Sequence, residues 1–182
     1  MGSPSDDARA VLELTLARPA TLGRGRLVCV DGPTGSGKTT LASGLQELSP
    51  GAAVVHSDEL LEGWDGLPAL AASVRGLLEP LARDEPGTWR RWDWHAGEWA
   101  ETREVAPGGL LVLEGVGSWS PYVAPWVTTL VWMDAPHDVR MRRGIDRDGE
   151  AFAPYWEQWA RDEAAVFARD RTRVHADMVI ST

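Results

Sequence analysis

Apolar runs and amphipathic stretches alternate along this chain. Five runs of strand length are almost continuously apolar: 27–30, 52–56, 110–113, 127–133 and 178–180. Five stretches carry apolar residues at helical spacing: 6–18, 38–48, 67–83, 136–148 and 155–171. Continuous apolar runs are typical of strands buried on both faces of a parallel sheet. The pattern therefore predicts one α/β domain over 1–182, with a five-stranded, mostly parallel sheet between two layers of helices.

The segment Thr88–His95 has a different pattern, because aromatic and polar residues alternate in it. This period of two predicts a half-exposed strand or a hairpin. The residues that follow, 97–103, are too polar for a firm assignment. Turn-forming sequences at 49–51, 84–87 and 107–109 separate the elements.

The first apolar run leads directly into a glycine-rich motif. Residues 32–39 match G-x-x-x-x-G-K-[ST], with a predicted strand before them and a predicted helix after them, which is the setting of a phosphate-binding P-loop. Glycines let backbone N–H groups approach phosphate oxygens, and the N-terminus of the helix adds its dipole. The residues predicted to bind nucleotide are Gly32, Thr34, Gly35, Ser36, Gly37, Lys38, Thr39 and Thr40.

Two residues of the motif carry specific chemistry. Lys38 can reach the β- and γ-phosphates, and the hydroxyl of Thr39 can bind Mg²⁺. Lys38 is the only lysine of the chain, beside seventeen arginines. An incidental surface position for this lysine is therefore a poor explanation.

Carboxylates follow two of the predicted strands. Asp58 comes just after the strand at 52–56, and ligands of open α/β sheets bind at the carboxyl ends of the strands. Asp58 is thus a candidate acceptor-side base, or alternatively a plain helix cap. Glu114 ends the run 110–113 in the manner of a Walker B strand, where it would approach Mg²⁺ or its bound water.

Tryptophan is unusually frequent, with ten residues against two tyrosines and two phenylalanines. Residues of this type within 58–103 could stack on a flat acceptor, with charged neighbours bonding its hydroxyls. An aromatic face that closes a small core is an equally good explanation. The candidate acceptor-binding residues are Asp58, Trp64, Arg91, Trp92, Asp93 and Trp94.

Arginines cluster in the predicted helix at 136–148. Four of the seventeen, at positions 140, 142, 143 and 147, fall within eight residues. Guanidinium groups stabilise the charge that develops on a transferring phosphoryl group. We favour a lid helix over about 137–150 above a solvated helix face, with Arg140, Arg143 and Arg147 as catalytic candidates beside Lys38.

The overall composition excludes some partners. A net charge of −9 argues against nucleic acid, which would require clustered basic residues on a binding face. One cysteine, Cys29, permits no internal disulfide, and neither a signal peptide nor an apolar run near twenty residues is visible. We expect a cytoplasmic protein without a membrane partner. The oligomeric state stays open, a homo-oligomer included.

Taken together, the motif at 31–39, Asp58, Glu114-Gly115 and the arginine-rich segment 138–148 resemble the uridine kinase family of P-loop kinases, over about residues 27–182. The resemblance implies a three-layer α/β/α P-loop NTPase fold with a helical lid. It also implies that Asp58 takes the proton of a nucleoside 5′-hydroxyl and that Arg140, Arg143 and Arg147 are lid arginines.

By the same resemblance, Trp92-Asp93-Trp94 falls where the family has Tyr-Asp-Phe near the base pocket. The sequence departs from the family here, because Trp92 replaces the tyrosine and Gly97-Glu98 stand where a histidine is expected. The acceptor therefore need not be uridine or cytidine.

These observations lead to one main hypothesis. The chain would be a kinase that moves the γ-phosphoryl group of ATP–Mg²⁺ to a hydroxyl of a small molecule, first a nucleoside and next another metabolite or an antibiotic. A nucleoside monophosphate kinase is an alternative in which Arg90 and Arg91 bind the acceptor phosphate. An ATPase or switch that acts on a protein partner is the alternative from another class.

Overall fold

The computed structural model describes residues 4–148 and 153–182. Within them the strands are β1 (Arg26–Asp31), β2 (Ala53–His56), β3 (Gly87–Asp93), β4 (Glu98–Val105), β5 (Leu110–Glu114), β6 (Thr129–Asp134) and β7 (Met178–Ser181). The α-helices are α1 (Pro4–Leu16), α2 (Lys38–Leu48), α3 (Leu70–Ala82), α4 (His137–Asp148), α5 (Ala153–Asp170) and α6 (Thr172–His175). Short 3₁₀ turns lie at Ser57–Leu60, Leu67–Ala69 and Ala124–Trp126.

Five strands form the central sheet in the order β2-β5-β1-β6-β7, and every neighbouring pair in it is parallel. The predicted five-stranded sheet is therefore confirmed. All five strands end at the same edge, and the register places His56 beside Glu114 and Glu114 beside Val30. This edge collects the polar residues that terminate the strands.

Side chains of the central strands alternate between two apolar cores, one on each face of the sheet. In β1, Leu27 and Cys29 join the core under α3 and α5, whereas Val28 and Val30 join the core under α1 and α2. This alternation explains why the strand reads as continuously apolar, since both of its faces are covered by helices. The structure is a three-layer α/β/α sandwich.

The predicted hairpin is a separate two-stranded antiparallel sheet of β3 and β4. Its second strand occupies the segment that the sequence leaves unassigned. Residues 101–104 of β4 are exposed, so their polarity reflects contact with solvent and not a loop. The hairpin packs on α3 and on the 3₁₀ turn at Ser57–Leu60.

The arginine-rich segment forms α4, as predicted, and the end of the expected lid at 149–150 lies outside the described residues. None of the helices in residues 4–148 and 153–182 has the length and apolar character needed to cross a bilayer.

The core position of β5 can be tested by truncation. Leu113 is 0% exposed, and we expect Leu113→Ala to lower the free energy of unfolding by about 2–5 kcal/mol, because the substitution leaves a cavity. Leu16, at the end of α1, is 56% exposed, and Leu16→Ala should change stability by less than about 0.5 kcal/mol. Urea unfolding of both variants measures the difference. Equal losses would contradict the burial of β5.

Candidate active site

The candidate site lies where β1 ends between β5 and β6. Strands β2 and β5 lie on one side of β1 in the sheet, and β6 and β7 lie on the other. The chain therefore changes its direction across the sheet beside β1. Crevices at such switch points hold ligands in open α/β sheets. The P-loop predicted from the sequence connects β1 to α2 at this position.

The P-loop has the backbone that its glycines allow. Gly35 has a φ of 79°, and a Cβ atom on it would lie 2.5 Å from the carbonyl oxygen of Arg140. Gly32 has a φ of 139°, and its Cβ would collide with the carbonyl of Met133. Helix α4 and strand β6 therefore approach the loop more closely than any side chain would permit.

Lys38 is 8% exposed and lies against the loop that precedes it. Its Nζ donates hydrogen bonds to the carbonyl oxygens of Gly32 at 2.8 Å and Pro33 at 2.9 Å. The ammonium group thus stands at the mouth of α2, where the dipole and the backbone N–H groups favour an anion. Thr40, also predicted to bind nucleotide, is exposed in the first turn of α2.

Thr39 and Glu114 meet as the sequence predicts. The Thr39 hydroxyl donates to Oε1 of Glu114 at 3.0 Å, and the same oxygen lies 2.6 Å from Nδ1 of His56. Burial alone would raise the pKa of Glu114, but the hydrogen bond from His56 and the charge of Lys38 outweigh it and lower this pKa. The hydrogen bond to Glu114 raises the pKa of His56.

Hydroxyl and carboxylate oxygens are the ligands that Mg²⁺ prefers, so Thr39 and Glu114 fit this ion. In the part of the chain that the structure describes, no group of three or more His, Cys, Asp and Glu side chains is arranged to hold a metal. Further ligands would have to be phosphate oxygens or water. His56 was not predicted to take part, because its contact with Glu114 comes from the pairing of β2 with β5.

Asp31 is a second residue that the sequence did not single out. Its side chain is fully buried and accepts hydrogen bonds from the backbone N–H groups of Gly32 at 2.8 Å, Gly117 at 2.9 Å and Trp119 at 3.1 Å. Asp31 therefore joins the start of the P-loop to the loop after β5. Burial raises the pKa of Asp31 to about 7, although these N–H groups and Lys38 oppose the rise.

Helix α5 supports the P-loop from the other side. Glu163, which is 3% exposed, accepts the N–H of Thr34 at 2.9 Å, and Trp159 donates its Nε1 to the Thr34 hydroxyl at 2.7 Å. Glu163 also pairs with Arg140 at 3.1 Å. Burial raises the pKa of Glu163, while the Thr34 N–H and the charges of Lys38 and Arg140 oppose the rise. No sequence motif marks Glu163, since its partners lie more than twenty positions away.

The predicted lid arginines lie at the P-loop. Arg140 donates to the carbonyl oxygens of Ala135 at 3.2 Å and Thr34 at 3.4 Å. Arg143, which is exposed, donates to the carbonyl oxygen of Gly35 at 3.2 Å. Arg147 is in the last turn of α4, and its side chain lies outside the described part of the structure.

Asp58 is exposed in the 3₁₀ turn that follows β2, two residues after His56. The hairpin holds this turn through two indole groups. Trp94 donates to the carbonyl oxygen of Asp58 at 3.1 Å, and Trp89 donates to the carboxylate of Glu59 at 3.0 Å. Arg103 pairs with the same Glu59 carboxylate at 2.6 Å. The carboxylate of Asp58, the candidate acceptor-side base, therefore stands on a turn that the hairpin holds in place.

Aromatic rings form a cluster beside this turn. The ring of Trp64 stacks on Tyr155 at 5.1 Å and contacts Trp94 at 4.9 Å and Trp159 at 5.7 Å. Since Trp159 bonds Thr34, the cluster extends from the turn of Asp58 to the P-loop. Trp64 and Trp94, which were both predicted as acceptor-binding residues, are therefore in contact.

The remaining hairpin candidates bond within the hairpin. Trp92 packs its edge on Trp99 at 5.1 Å. Arg91 pairs with Glu101 at 2.8 Å and with Asp93 at 3.1 Å. The carboxylate of Asp93 accepts the N–H groups of His95 and Ala96 in the turn, and these bonds together with Arg91 lower its pKa.

The sheet, the P-loop and the flanking helices form the three-layer α/β/α fold of the P-loop kinases. No protein-family model matches the sequence, and no curated protein matches it. Two solved structures are similar over nearly the whole chain, each at 21% identity. One is a possible uridine kinase from Bacillus stearothermophilus, with a TM-score of 0.68, covering 96% of this chain and 97% of that one.

The other is a candidate fructose transport system kinase from Silicibacter sp. TM1040. Its TM-score is 0.64, and the match covers 98% of this chain and 99% of that one. At this level of identity the likeness establishes the fold. The expected resemblance to uridine kinase-like structures is thus confirmed in the architecture.

The raised pKa of Asp31 has a measurable consequence. Between pH 4 and pH 7 the folded chain keeps a proton on Asp31 that the unfolded chain has released, so this group lowers stability as the pH rises through that range. We expect the stability advantage of the wild type over Asp31→Asn, measured by urea unfolding, to shrink by about 1–3 kcal/mol from pH 5 to pH 8.

The comparison with Asp31→Asn isolates this group, because other titrating side chains are the same in both proteins. An exposed control, Asp65→Asn, should show the same difference from the wild type at both pH values. An advantage for the wild type that grows with pH would mean that the three backbone N–H groups dominate and that the carboxylate is the preferred form.

Proposed function

We propose that this protein is an ATP-dependent phosphotransferase that acts on a hydroxyl group of a small molecule. The observation that carries the proposal is the position of Glu114. Its carboxylate bonds Thr39 at the start of α2 and also His56, two residues before Asp58. This contact supports one site in which the segment proposed to bind the acceptor lies beside the segment proposed to bind the nucleotide.

Each residue has a role in the proposed reaction. The N–H groups of the P-loop and Lys38 hold the phosphates, and Thr39 with Glu114 would hold Mg²⁺, which neutralises phosphate charge when bound. The acceptor oxygen forms a bond to the γ-phosphorus of ATP as the bond from that phosphorus to the bridging oxygen of ADP breaks. The hydroxyl proton passes to the carboxylate of Asp58.

The lid arginines complete this assignment. Arg140 and Arg143 stand at the P-loop, and Arg147 lies one turn further along α4. Their guanidinium groups would face the charge that spreads over the transferring phosphoryl group. In the structure Arg140 and Arg143 bond carbonyl oxygens of the loop, so each would release such a bond to reach the transferring group.

A nucleoside is the first acceptor that we propose. The rings of Trp64 and Trp94 lie next to the Asp58 turn, and a flat base could pack against such rings. A phosphorylated acceptor is less well supported, because Arg91 is bonded to two carboxylates and Arg90 to the carbonyl oxygens of Trp99 and Ala100.

Another alcohol is the second acceptor class. The two structures compared above are described as a possible uridine kinase and a candidate fructose transport system kinase, names that point to acceptors as different as a nucleoside and a sugar. The rings around Trp64 already contact one another, so they do not need an aromatic acceptor as a packing partner. A non-aromatic acceptor is therefore equally compatible with the region. A hydrolase or switch without an acceptor would leave Asp58 without a role.

We expect ADP formation from ATP–Mg²⁺ to depend on an added acceptor. The measurement is a coupled ADP assay over nucleosides, nucleoside monophosphates, sugars and hydroxyl-bearing antibiotics, with Lys38→Ala as the blank. One class should raise the rate at least about tenfold above the blank. Hydrolysis at the same rate with every compound would favour the ATPase alternative.

Replacement of Asp58 should affect phosphoryl transfer and not nucleotide binding. We expect Asp58→Asn to lower kcat by about 10²–10⁴-fold, since the amide cannot accept the proton, and to leave ATP affinity within about twofold. Asp65→Asn, an exposed aspartate of the same region, is the matched control and should retain activity. Loss of ATP binding in Asp58→Asn would refute the assigned role.

A further inference from the structure

Side chains hold the P-loop through its carbonyl oxygens. Five consecutive carbonyl oxygens, those of residues 32–36, each accept a hydrogen bond from a side chain. Lys38 supplies the first two, and Arg140 and Arg143 supply the next two. The fifth donor is the hydroxyl of Thr182, which bonds the carbonyl oxygen of Ser36 at 3.2 Å.

Thr182 follows β7 and is fixed by three elements. Its backbone N–H donates to the carbonyl oxygen of Asp134 at the end of β6, at 2.9 Å. Its hydroxyl accepts from Nη1 of Arg143 at 2.8 Å while it donates to Ser36. A Cβ on Gly37 would stand 3.6 Å from the Thr182 methyl group, so the side chain also packs on the loop.

The bond to Ser36 determines the direction of one peptide group. In a trans peptide the C=O and the following N–H point in opposite directions. Thr182 holds the carbonyl oxygen of Ser36 on the side of the loop away from the phosphate-binding face. The N–H of Gly37 therefore points to the opposite side, towards that face. Gly37 is in the left-handed region, with a φ of 94°, and glycine can leave this conformation at little cost. The hydroxyl thus restrains a peptide that the glycine would otherwise allow to rotate.

We propose that Thr182 is a positioning residue for nucleotide binding: it fixes the Ser36–Gly37 peptide so that the N–H of Gly37 faces the phosphates. This inference rests on the proposed function only in that the P-loop binds a nucleotide. A restrained loop loses less conformational entropy when the anion binds, and the gain is in affinity. Arg143 also donates to this hydroxyl, but its bond to the carbonyl oxygen of Gly35 does not depend on Thr182.

The test is the affinity for ATP–Mg²⁺, measured by titration calorimetry on the whole chain. Thr182→Val keeps the shape and removes the hydroxyl, and we expect the Kd to rise about three- to tenfold. Thr182→Ser keeps the hydroxyl and should stay within about twofold of the wild type. Thr182→Ala, which removes the hydroxyl without the bulk of valine, should behave as Thr182→Val does.

A matched control removes a hydroxyl bond at the opposite edge of the sheet. Thr21 donates to the carbonyl oxygen of Trp126 at 2.9 Å, and Thr21→Val should leave the Kd unchanged. With an acceptor in hand, Thr182→Val should raise the KM for ATP and leave kcat at saturating ATP within about twofold, which a general loss of structure would not do. Thermal unfolding establishes that each variant is folded.

Two results would overturn the inference. One is an unchanged Kd in folded Thr182→Val or Thr182→Ala; the other is a Kd in Thr182→Ser as weak as in Thr182→Val. Failure of the proposed function has a different signature, because the wild type itself would then bind no ATP–Mg²⁺. A wild type that binds and transfers, with unchanged affinity in the Thr182 variants, refutes the positioning role alone.

Discussion

The charge of one buried lysine constrains the whole site. Lys38 acts electrostatically on three buried carboxylates, Asp31, Glu114 and Glu163, which are at most 5% exposed. One ammonium cannot balance three carboxylates in a medium of low dielectric constant. Two of the three have a second cationic or protonatable partner, Arg140 for Glu163 and His56 for Glu114. Asp31 is stabilised by backbone N–H groups instead, and its pKa is the one that burial raises to about 7.

This balance explains why so many elements converge on one loop. Helix α2 carries Lys38, strand β2 carries His56 and α4 carries Arg140, so the compensating charges come from three separate elements. A P-loop in isolation would keep only the bonds from Lys38 to its carbonyl oxygens. The sheet and the helices beside it supply the other side chains that restrain the loop, and such restraint lowers the cost of binding an anion.

The features that the sequence predicts well are patterns of neighbouring residues. The P-loop, the strand ends at Glu114 and Asp58, and the arginine-rich helix are contiguous patterns, and the structure places Lys38, Thr39 and Glu114 together as those patterns require. The residues that were missed depend on contacts between distant segments, such as Glu163 with Thr34 and His56 with Glu114. Strand β4 was missed for another reason. It is held by its pairing with β3 and is not buried on both faces, so its sequence is polar and lacks the apolar pattern of a buried strand.

The turn that carries Asp58 is held differently from the P-loop. Indole N–H groups add to a charged contact there, since Trp94 holds the carbonyl of Asp58 and Trp89 holds Glu59, which also pairs with Arg103. Indoles combine a large apolar area with a single donor, so they can close a small hydrophobic cluster and orient a polar turn at once. The two explanations of the tryptophans, core and binding surface, are therefore not exclusive. Trp64 contacts Trp94 and Trp159, and Trp159 in turn bonds Thr34, so the same packing that closes the cluster fixes the turn of Asp58 relative to the P-loop.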